Sequence, residues 1–358
     1  MITAADNINS ISPYVPGKPI EELERELGIT NSIKLASNEN PLGPSPKAVA
    51  AMKKVLDDQN RYPDGSGYYL SQALAKKYDI GLSQIILGNG SNELIELAVR
   101  TYVQSGDEVI SADPSFVVYK MITQAAGGTN VIVPCRELRH DLDAMADRIT
   151  QKTKIIFICN PNNPTGTMNT VTEMNRFLER VPEQVLVVLD EAYFEYVTHA
   201  EYPDGLDYLN AGKNVLVLRT FSKIYGLAGL RIGYGMTKPE IAETMNKVRQ
   251  PFNTNAPAQV GALAALGDRK HVEKSVAINN EGKQFLYQSF GQFGIKYVPT
   301  ETNFIFFETA LEGKAVYAAL LKQGVIIRPM GPKYLRVTIG LPEENKRFIV
   351  ELEKIVQA

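Results

Sequence analysis

Lys223 is surrounded in the sequence by side chains that could hold a phosphorylated carbonyl compound. It lies in segment 220–231, which reads TFSKIYGLAGLR and follows the apolar residues 215–218. A lysine amine can form an imine with a carbonyl, and the Ser222 hydroxyl and the Arg231 guanidinium can bind a phosphate. Pyridoxal 5'-phosphate carries both an aldehyde and a phosphate, so this segment predicts a site where Lys223 binds that cofactor covalently. Because a single lysine is more often an ordinary solvated side chain, the prediction needs support from other segments.

A carboxylate that suits the same cofactor follows the apolar residues 185–189. Asp190 comes at the end of this run, and Tyr193 lies three residues further on. A buried carboxylate there could pair with the pyridine nitrogen and keep it protonated, which makes the ring a better electron sink. Tyr193 could donate a hydrogen bond to the 3-oxygen of the ring. The alternative for Asp190 is a helix cap or a structural salt bridge.

A rigid turn is predicted in the segment 160–166, NPNNPTG, which follows the apolar residues 155–158. Its two prolines restrict the backbone, so Asn163 could be held toward the same 3-oxygen with little loss of entropy. A plain turn at the end of a strand is the alternative for any single Asn-Pro pair.

A glycine-containing loop, GNGSN at 88–92, precedes a helical pattern. The backbone N–H groups around Ser91 and Asn92 could therefore bind the cofactor phosphate at the start of a helix. Glu93 stands where the dinucleotide fingerprint requires its third glycine, which disfavours a nicotinamide dehydrogenase. Elsewhere, Phe116 could stack on the pyridine ring, with an ordinary core aromatic as the alternative.

An arginine near the C-terminus could bind an anionic substrate. Arg336 alternates with the apolar residues Leu335 and Val337, so in a strand it faces the side opposite to them. A guanidinium there could bind a carboxylate or a phosphate through two hydrogen bonds, and Arg328 offers a second cation nearby. A surface ion pair is the alternative for both arginines.

The elements that must position these residues form an α/β pattern. Continuous rather than alternating apolar runs predict a mostly parallel sheet that is buried on both faces between helices. In such a sheet, the loops that leave the carboxyl ends of the strands build the site. The candidate residues occupy these loops.

The pattern divides the chain into an arm at 1–30, a large domain at 31–248 that would bind the cofactor, and a smaller α+β domain at 249–358. The arm contains a short predicted helix that Gly28 ends. The predicted elements of the smaller domain are helices at 272–290 and 343–356 and strands at 295–298, 303–307, 325–328 and 335–339.

The composition is that of an ordinary globular protein, with 44% hydrophobic and 22% charged residues and a net charge of −2. It offers no field for nucleic acid, no membrane span and no signal sequence, so a cytoplasmic protein is expected. The three histidines lack the spacing of a metal site. Cys135 and Cys159 lie in or beside apolar runs and are expected to be buried thiols.

In combination, these segments resemble the fold-type-I aminotransferases, specifically their class II group and, within it, the enzymes that act on histidinol phosphate. The resemblance runs nearly end to end. The matching segments are 12–19 (SPYVPGKP), 35–43 (LASNENPLG), 61–65 (RYPDG), 160–166, 190–193 (DEAY), 222–233 and 335–340 (LRVTIG).

The resemblance implies a role for each site residue. Lys223 would hold pyridoxal 5'-phosphate and move the proton between substrate and cofactor carbons, and Asp190 would hold the pyridinium. Tyr193 and Asn163 would bind the 3-oxygen, and Phe116 would stack on the ring. The residues implied at the phosphate are Ser91, Asn92, Ser222, Arg231 and, from the other subunit of an obligate homodimer, Tyr62.

For the substrates, the resemblance implies that Arg336, Arg328 and Tyr14 of the arm bind the anionic end. The implied reaction transfers an amino group between L-histidinol phosphate and 2-oxoglutarate, giving imidazole acetol phosphate and glutamate in histidine biosynthesis. Three alternatives stay open: an aromatic amino acid aminotransferase, a lyase such as an O-phosphothreonine decarboxylase, and a cofactor-sensing regulator. The first differs only in pocket shape, and the second would release carbon dioxide without a keto-acid acceptor.

Overall fold

The computed structural model describes residues 2–357 and forms two main sheets with helices around them. The strands are β1 (Ile33–Lys34), β2 (Ile85–Gly88), β3 (Glu108–Asp113), β4 (Thr129–Pro134), β5 (Thr153–Cys159), β6 (Leu186–Asp190), β7 (Val215–Thr220), β8 (Gly233–Met236), β9 (Lys296–Tyr297), β10 (Phe304–Glu308), β11 (Val325–Ile326), β12 (Arg328–Pro329) and β13 (Tyr334–Thr338). The helices are α1 (Asp6–Asn9), α2 (Ile20–Leu27), α3 (Pro46–Lys53), α4 (Tyr68–Tyr78), α5 (Ser91–Tyr102), α6 (Val118–Ala125), α7 (Leu142–Asp147), α8 (Val171–Arg180), α9 (Gly205–Asn210), α10 (Pro239–Asn246), α11 (Ala256–Leu266), α12 (Arg269–Gln292), α13 (Gly313–Lys322) and α14 (Pro342–Val356).

The larger sheet has the strand order β2-β8-β7-β6-β5-β3-β4. The strands from β7 to β4 run parallel to their neighbours, whereas β8 is antiparallel to both β2 and β7. Along β5, Ile156 and Ile158 pack into one hydrophobic cluster, and Ile155 and Phe157 pack into another on the opposite face. Burial on both faces explains the continuous apolar runs in the sequence. The predicted α/β class with a mostly parallel sheet between helices is confirmed.

The smaller sheet is antiparallel, with the order β12-β13-β10-β9. Its apolar side chains pack with those of α12, α13 and α14 into a separate hydrophobic cluster. The predicted strand at 325–328 is wrong as a single element, because its two halves pair with different partners. Val325–Ile326 (β11) runs parallel to β1, and Arg328–Pro329 (β12) is antiparallel to β13.

The N-terminal segment contacts both regions: Asn7 of α1 donates to the Gln124 carbonyl of α6 at 3.0 Å, whereas Leu23 of α2 packs with Ile326 of β11. The predicted helix at 20–27 is present as α2, and Gly28 ends it in the left-handed conformation at a φ of 65°. Beyond it, the pairing of β1 with β11 and a hydrogen bond from the Thr338 backbone N–H to the Leu35 carbonyl (2.8 Å) extend these contacts past residue 30. Over residues 2–357, no helix combines the length and the apolar character that a membrane span needs.

Candidate active site

A cavity of about 250 Å³ lies where β5, β6 and β7 end. Cys159, Asp190 and Thr220, the last residues of these strands, all line it. This is the sheet edge at which the loops after parallel strands meet. The cavity brings together many of the residues that the sequence predicts, namely Ser91, Asn92, Phe116, Asn163, Asp190, Tyr193, Ser222, Lys223 and Arg231.

Lys223 reaches the cavity from the loop that follows β7. Its Nζ donates a hydrogen bond to the Ser37 carbonyl at 3.2 Å and lies 5.9 Å from the centre of the Tyr193 ring. Burial lowers the pKa of Lys223 to about 8, and the positive charge of Arg336 acts in the same direction. A lysine with a lowered pKa keeps a larger fraction of neutral amine near neutral pH, and the neutral amine is the nucleophile.

Asp190 presents one free carboxylate oxygen to the cavity. The residue is 4% exposed, and its Oδ2 accepts a hydrogen bond from the Tyr119 hydroxyl at 2.6 Å. Its Oδ1 is buried and has no hydrogen-bond partner within residues 2–357. Burial raises the pKa of Asp190, and the hydrogen bond from Tyr119 acts in the opposite direction. A buried acceptor without a partner is costly, so Oδ1 marks a place where a donor group of a bound molecule fits.

The Tyr193 hydroxyl is positioned by a hydrogen bond that it accepts, so its own proton can be donated to another group. It accepts a hydrogen bond from Asn38 Nδ2 at 2.9 Å, which leaves its own O–H available as a donor. Burial raises the pKa of Tyr193, so the hydroxyl stays protonated at neutral pH. Asn38 has a φ of 56° and is fixed by its backbone N–H, which donates to Thr338 Oγ1 at 2.9 Å. Thr338 of the smaller sheet thus helps to position Tyr193, which lies just after β6 of the larger sheet.

The turn after β5 is braced by Asn162 and leaves Asn163 facing the cavity. Asn162 Nδ2 donates to the Pro114 carbonyl at 2.9 Å, and its Oδ1 accepts from the Ser115 hydroxyl at 2.9 Å. These bonds tie the turn to the loop that carries Phe116. The two cavity residues Asn163 and Phe116 are therefore positioned by one shared hydrogen-bond network.

An anion site is formed where α5 begins. Ser91 is its first residue, and Gly90 before it has a φ of 74°, which favours glycine. A Cβ at Gly90 would lie only 2.5 Å from Nη2 of Arg231, so the guanidinium approaches the backbone closely. Arg231 Nη1 also donates to the Ser222 hydroxyl oxygen at 3.4 Å. The free N–H groups of the helix start and the guanidinium together suit a phosphate.

Arg336 does not line the cavity itself but is bonded to one of its lining residues, Asn163. Its Nη1 donates to Asn163 Oδ1 at 2.5 Å, and its Nη2 donates to the Ala36 carbonyl at 2.8 Å. The side chain is 8% exposed, and its Nε has no hydrogen-bond partner within the described part of the chain. Burial lowers the pKa of Arg336, and the charge of Arg328 adds to this effect. The Arg336 guanidinium is thus a buried, incompletely satisfied cation.

Arg328 and Tyr14 connect the N-terminal arm to the neighbourhood of Arg336. The guanidinium carbon of Arg328 lies 5.6 Å from the centre of the Tyr14 ring, and its Nη2 donates to the Val15 carbonyl at 2.6 Å. Neither residue lines the cavity. Both act on the pKa of Arg336, which the charge of Arg328 lowers and Tyr14 raises.

Tyr62 is the one predicted cofactor residue that this chain does not bring to its own cavity. It is 82% exposed and stacks on Phe252 with the ring centres 4.6 Å apart. The expectation that Tyr62 acts in the site of a partner subunit stays a prediction.

Several cavity residues were not assigned a role from the sequence, among them Ser37, Glu39 and Cys159. Ser37 and Glu39 belong to the segment 35–43, whose resemblance to the family could have pointed to them. Glu39 pairs with Lys34 across 2.9 Å. Cys159 is buried, as expected, and burial raises the pKa of its thiol.

A cluster of ion pairs formed by Arg219, Glu191 and Asp204 adjoins the site in the chain. Arg219 on β7 is fully buried and pairs with Glu191 across 2.8 Å and with Asp204 across 2.7 Å. Its guanidinium carbon also lies 3.4 Å from the centre of the Phe194 ring. Because Glu191 follows Asp190 in the chain, this cluster joins the ends of the two strands that lead to Asp190 and Lys223.

Comparisons with known proteins agree with this geometry. Residues 30–352 match the family model for aminotransferases of class I and II. The chain is 52% identical to a histidinol-phosphate aminotransferase of Moorella thermoacetica, over 98% of this chain and 92% of the relative. It is 48% identical to histidinol-phosphate aminotransferase 2 of Pseudomonas fluorescens, over 99% of this chain and 97% of the relative.

Among solved structures, the histidinol-phosphate aminotransferase of Sinorhizobium meliloti in complex with pyridoxal 5'-phosphate superimposes with a TM-score of 0.91. It shares 27% sequence identity, and the superposition covers 99% of this chain and 97% of that one. Similarity therefore extends over the whole chain in both sequence and fold.

Proposed function

The chain belongs to the family of class I and II aminotransferases, and on that premise we propose that it transfers the amino group of L-histidinol phosphate to 2-oxoglutarate. The products are imidazole acetol phosphate and glutamate, and the reaction belongs to histidine biosynthesis in the cytoplasm. The observation that carries the proposal is the 52% identity to a histidinol-phosphate aminotransferase over 98% of the chain. The cavity with Lys223 and Asp190, and Arg336 bonded to the lining residue Asn163, supports it with the side chains that such a reaction needs.

Pyridoxal 5'-phosphate is the proposed cofactor, and it supplies an electron sink for a carbanion next to the amino group. The unpartnered Oδ1 of Asp190 fits the pyridine N–H, because a buried carboxylate oxygen needs a donor. Tyr193 and Asn163 can each donate to the 3-oxygen, and Phe116 can stack on the ring. The phosphate would be held by Ser91, Asn92, Ser222 and Arg231.

Lys223 has two proposed tasks. Its neutral amine binds the cofactor covalently, and the lowered pKa of Lys223, about 8, keeps part of the amine neutral near pH 7. With the cofactor bound, the Lys223 Nζ would also be the group that accepts the proton from the substrate carbon and returns it to the cofactor carbon. The Ser37 carbonyl that accepts a hydrogen bond from Nζ helps to orient the amine for this transfer.

The anionic ends of both substrates are proposed to bind Arg336, with Arg328 and Tyr14 beside it. The donor is a phosphate ester and the acceptor is a dicarboxylate, and a guanidinium can form two hydrogen bonds with either kind of oxyanion. Arg336 suits this role because its Nε is buried without a partner. Since one site serves both substrates in turn, ping-pong kinetics are expected.

We also propose a homodimer in which Tyr62 reaches the phosphate of the partner's site. Tyr62, Tyr69 and Phe252 are exposed aromatic side chains of the kind that are enriched at protein interfaces. Mixing Tyr62→Ala with Lys223→Ala chains tests the arrangement at limiting cofactor concentration. If Tyr62 acts across subunits, each mixed dimer contains one intact site of two, and because about half of the dimers in an equal mixture are mixed, the sample recovers about a quarter of wild-type activity. If no activity is recovered, the cross-subunit role of Tyr62 is wrong.

The division into an arm at 1–30, a cofactor domain at 31–248 and a small domain at 249–358 remains a proposal. It is supported by the confinement of the larger sheet to 85–236 and of the smaller one to 296–338.

The reaction itself is tested by measuring glutamate formation from 2-oxoglutarate with L-histidinol phosphate or phenylalanine as the donor. A kcat/KM that is at least about tenfold higher for L-histidinol phosphate supports the proposed function. A preference for phenylalanine would make the chain an aromatic aminotransferase. Carbon dioxide release from O-phosphothreonine without a keto acid would make it a lyase.

A further inference from the structure

Tyr119 lies outside the cavity lining and donates a hydrogen bond to Asp190, the carboxylate that would pair with the pyridine nitrogen of the cofactor. It is the second residue of α6, is 1% exposed, and does not line the cavity. Its hydroxyl donates to Asp190 Oδ2 at 2.6 Å, a short distance that is typical of a bond from a hydroxyl to a carboxylate. Oδ1 of the same carboxylate is the oxygen that has no partner in the described chain.

The Tyr119 ring is held so that the hydroxyl has one position. It stacks on Phe157 with the ring centres 4.4 Å apart and an angle of 6° between the planes. On another side it meets Phe116 edge to face, with the centres 5.6 Å apart. Tyr119 therefore contacts both Asp190 and the aromatic residue that would stack on the cofactor. A shift of this one ring would move both neighbours.

The bond makes the two oxygens of Asp190 unequal. Burial favours the protonated carboxyl, whereas a donor on Oδ2 stabilises the carboxylate and prevents rotation of the group. The pKa of Tyr119 is raised well above its ordinary value by burial and by the negative charge of Asp190. The hydroxyl is therefore protonated, and available as a donor, at neutral pH.

We propose that Tyr119 is a positioning residue that fixes Asp190 as an ionised acceptor with Oδ1 directed at the pyridine nitrogen of the cofactor. It acts through Asp190 and does not touch the cofactor itself. The inference rests on the proposed cofactor but not on the identity of the amino donor.

Tyr119→Phe removes only the hydroxyl. Without this donor Asp190 becomes more basic and free to rotate, so the ring nitrogen keeps less positive charge and the cofactor binds less tightly. A hydrogen bond to a charged group corresponds to about a ten- to hundredfold change in affinity, and we expect a loss of this size in the Kd of the apo protein for pyridoxal 5'-phosphate. The pH midpoint of the visible absorption band of the bound cofactor should move to higher pH. The kcat should fall while the KM of the donor changes little.

Tyr234→Phe is the matched control. Tyr234 is also fully buried, and its hydroxyl shares a 2.6 Å hydrogen bond with the Tyr78 hydroxyl, away from the cavity lining. Its loss should lower the stability of the fold by a similar amount but leave the Kd and the band midpoint unchanged. If Tyr119→Phe behaves like this control, Tyr119 is structural only and the proposal is overturned.

Two further measurements keep the proposal testable if Tyr119→Phe folds poorly. Incorporation of 3-fluorotyrosine at position 119 preserves the side-chain shape and strengthens the donor, so the band midpoint should move to lower pH; an unmoved midpoint contradicts the proposal. In an Asp190→Asn background, Tyr119→Phe should no longer change the Kd, because the carboxylate through which it acts is absent. An unaltered effect there would also contradict it.

If wild-type apo protein does not bind pyridoxal 5'-phosphate, the proposed cofactor fails together with this inference, whereas normal wild-type binding with no response at Tyr119 overturns the inference alone.

Discussion

Arg336 and Asn163 are directly bonded, with Nη1 donating to Oδ1 at 2.5 Å. An arginine can only donate, so the atom of Asn163 that faces it must be the amide oxygen. The Asn163 amide nitrogen is then left to donate to another group, as a cofactor 3-oxygen requires. The proposed substrate arginine and the proposed cofactor asparagine are thus joined by a direct hydrogen bond.

Arg336→Ala should weaken the binding of both amino donor and keto acid. It removes the buried guanidinium that both anions would share and frees Asn163 to rotate. Because charge-assisted hydrogen bonds are lost, kcat/KM should fall about a hundredfold or more for each substrate. Steady-state kinetics with each substrate varied in turn check this, with the exposed Arg269→Ala as a control. A response of only one substrate would show that the anion site is not shared.

Lys223→Ala should abolish steady-state transamination while the fold is retained. Among the described residues that line the cavity, Lys223 is the only lysine, so the variant leaves no amine there to bind the cofactor covalently. Activity, the circular dichroism spectrum and borohydride trapping of the cofactor check this, with the exposed Lys314→Ala as the control. Full activity in Lys223→Ala would remove this lysine from its proposed role.

Capture of pyridoxal 5'-phosphate by the apo protein should show the lowered pKa of Lys223. Only the neutral amine reacts, so the rate should rise with pH and level off above the pKa of about 8. For a pKa near 8, the neutral fraction increases about tenfold from pH 7 to pH 9 and then saturates. Stopped-flow measurements across this range check it. A rate that keeps rising steeply to pH 10, as for an ordinary lysine, would contradict the lowered value.

Arg219→Met should destabilise the protein without altering the cavity lining. The change leaves Glu191 buried without its cation, and breaking a buried pair in this way costs about 3–5 kcal/mol of unfolding free energy. Urea titrations check this. The double variant Arg219→Met with Glu191→Met should lose less stability than Arg219→Met alone, because the carboxylate that then remains without its cation, that of Asp204, is partly exposed rather than buried. Equal or greater loss in the double variant would show that the cost is one of packing.

Much of the fold and many of the site residues could be predicted from the sequence, because they depend on local patterns. Lys223, Asp190 and Asn163 each follow an apolar strand, and the end of a strand in a parallel sheet fixes where its loop must lie. The larger sheet was predictable for the same reason, since its strands are buried on both faces.

The remainder depends on contacts between distant segments. Tyr119 lies on a helix with an ordinary pattern, and only tertiary packing, including the stacking of its ring on Phe157 of β5, brings its hydroxyl to Asp190, 71 positions away. The division of the predicted strand at 325–328 depends on β1, which is nearly three hundred residues earlier in the chain. The placement of Ser37 and Glu39 in the cavity lining likewise depends on how the segment 35–43 contacts distant parts of the chain.

The most direct test of the proposed function is the reaction of the purified cofactor-loaded protein with L-histidinol phosphate alone, without any keto acid. The visible absorption band of the bound cofactor should disappear rapidly and return when 2-oxoglutarate is added, because the amino group is held by the enzyme between the two half-reactions. Phenylalanine should produce the same change much more slowly. If the band is present but L-histidinol phosphate leaves it unchanged, the proposed transamination is contradicted, although the fold and the cofactor would stand.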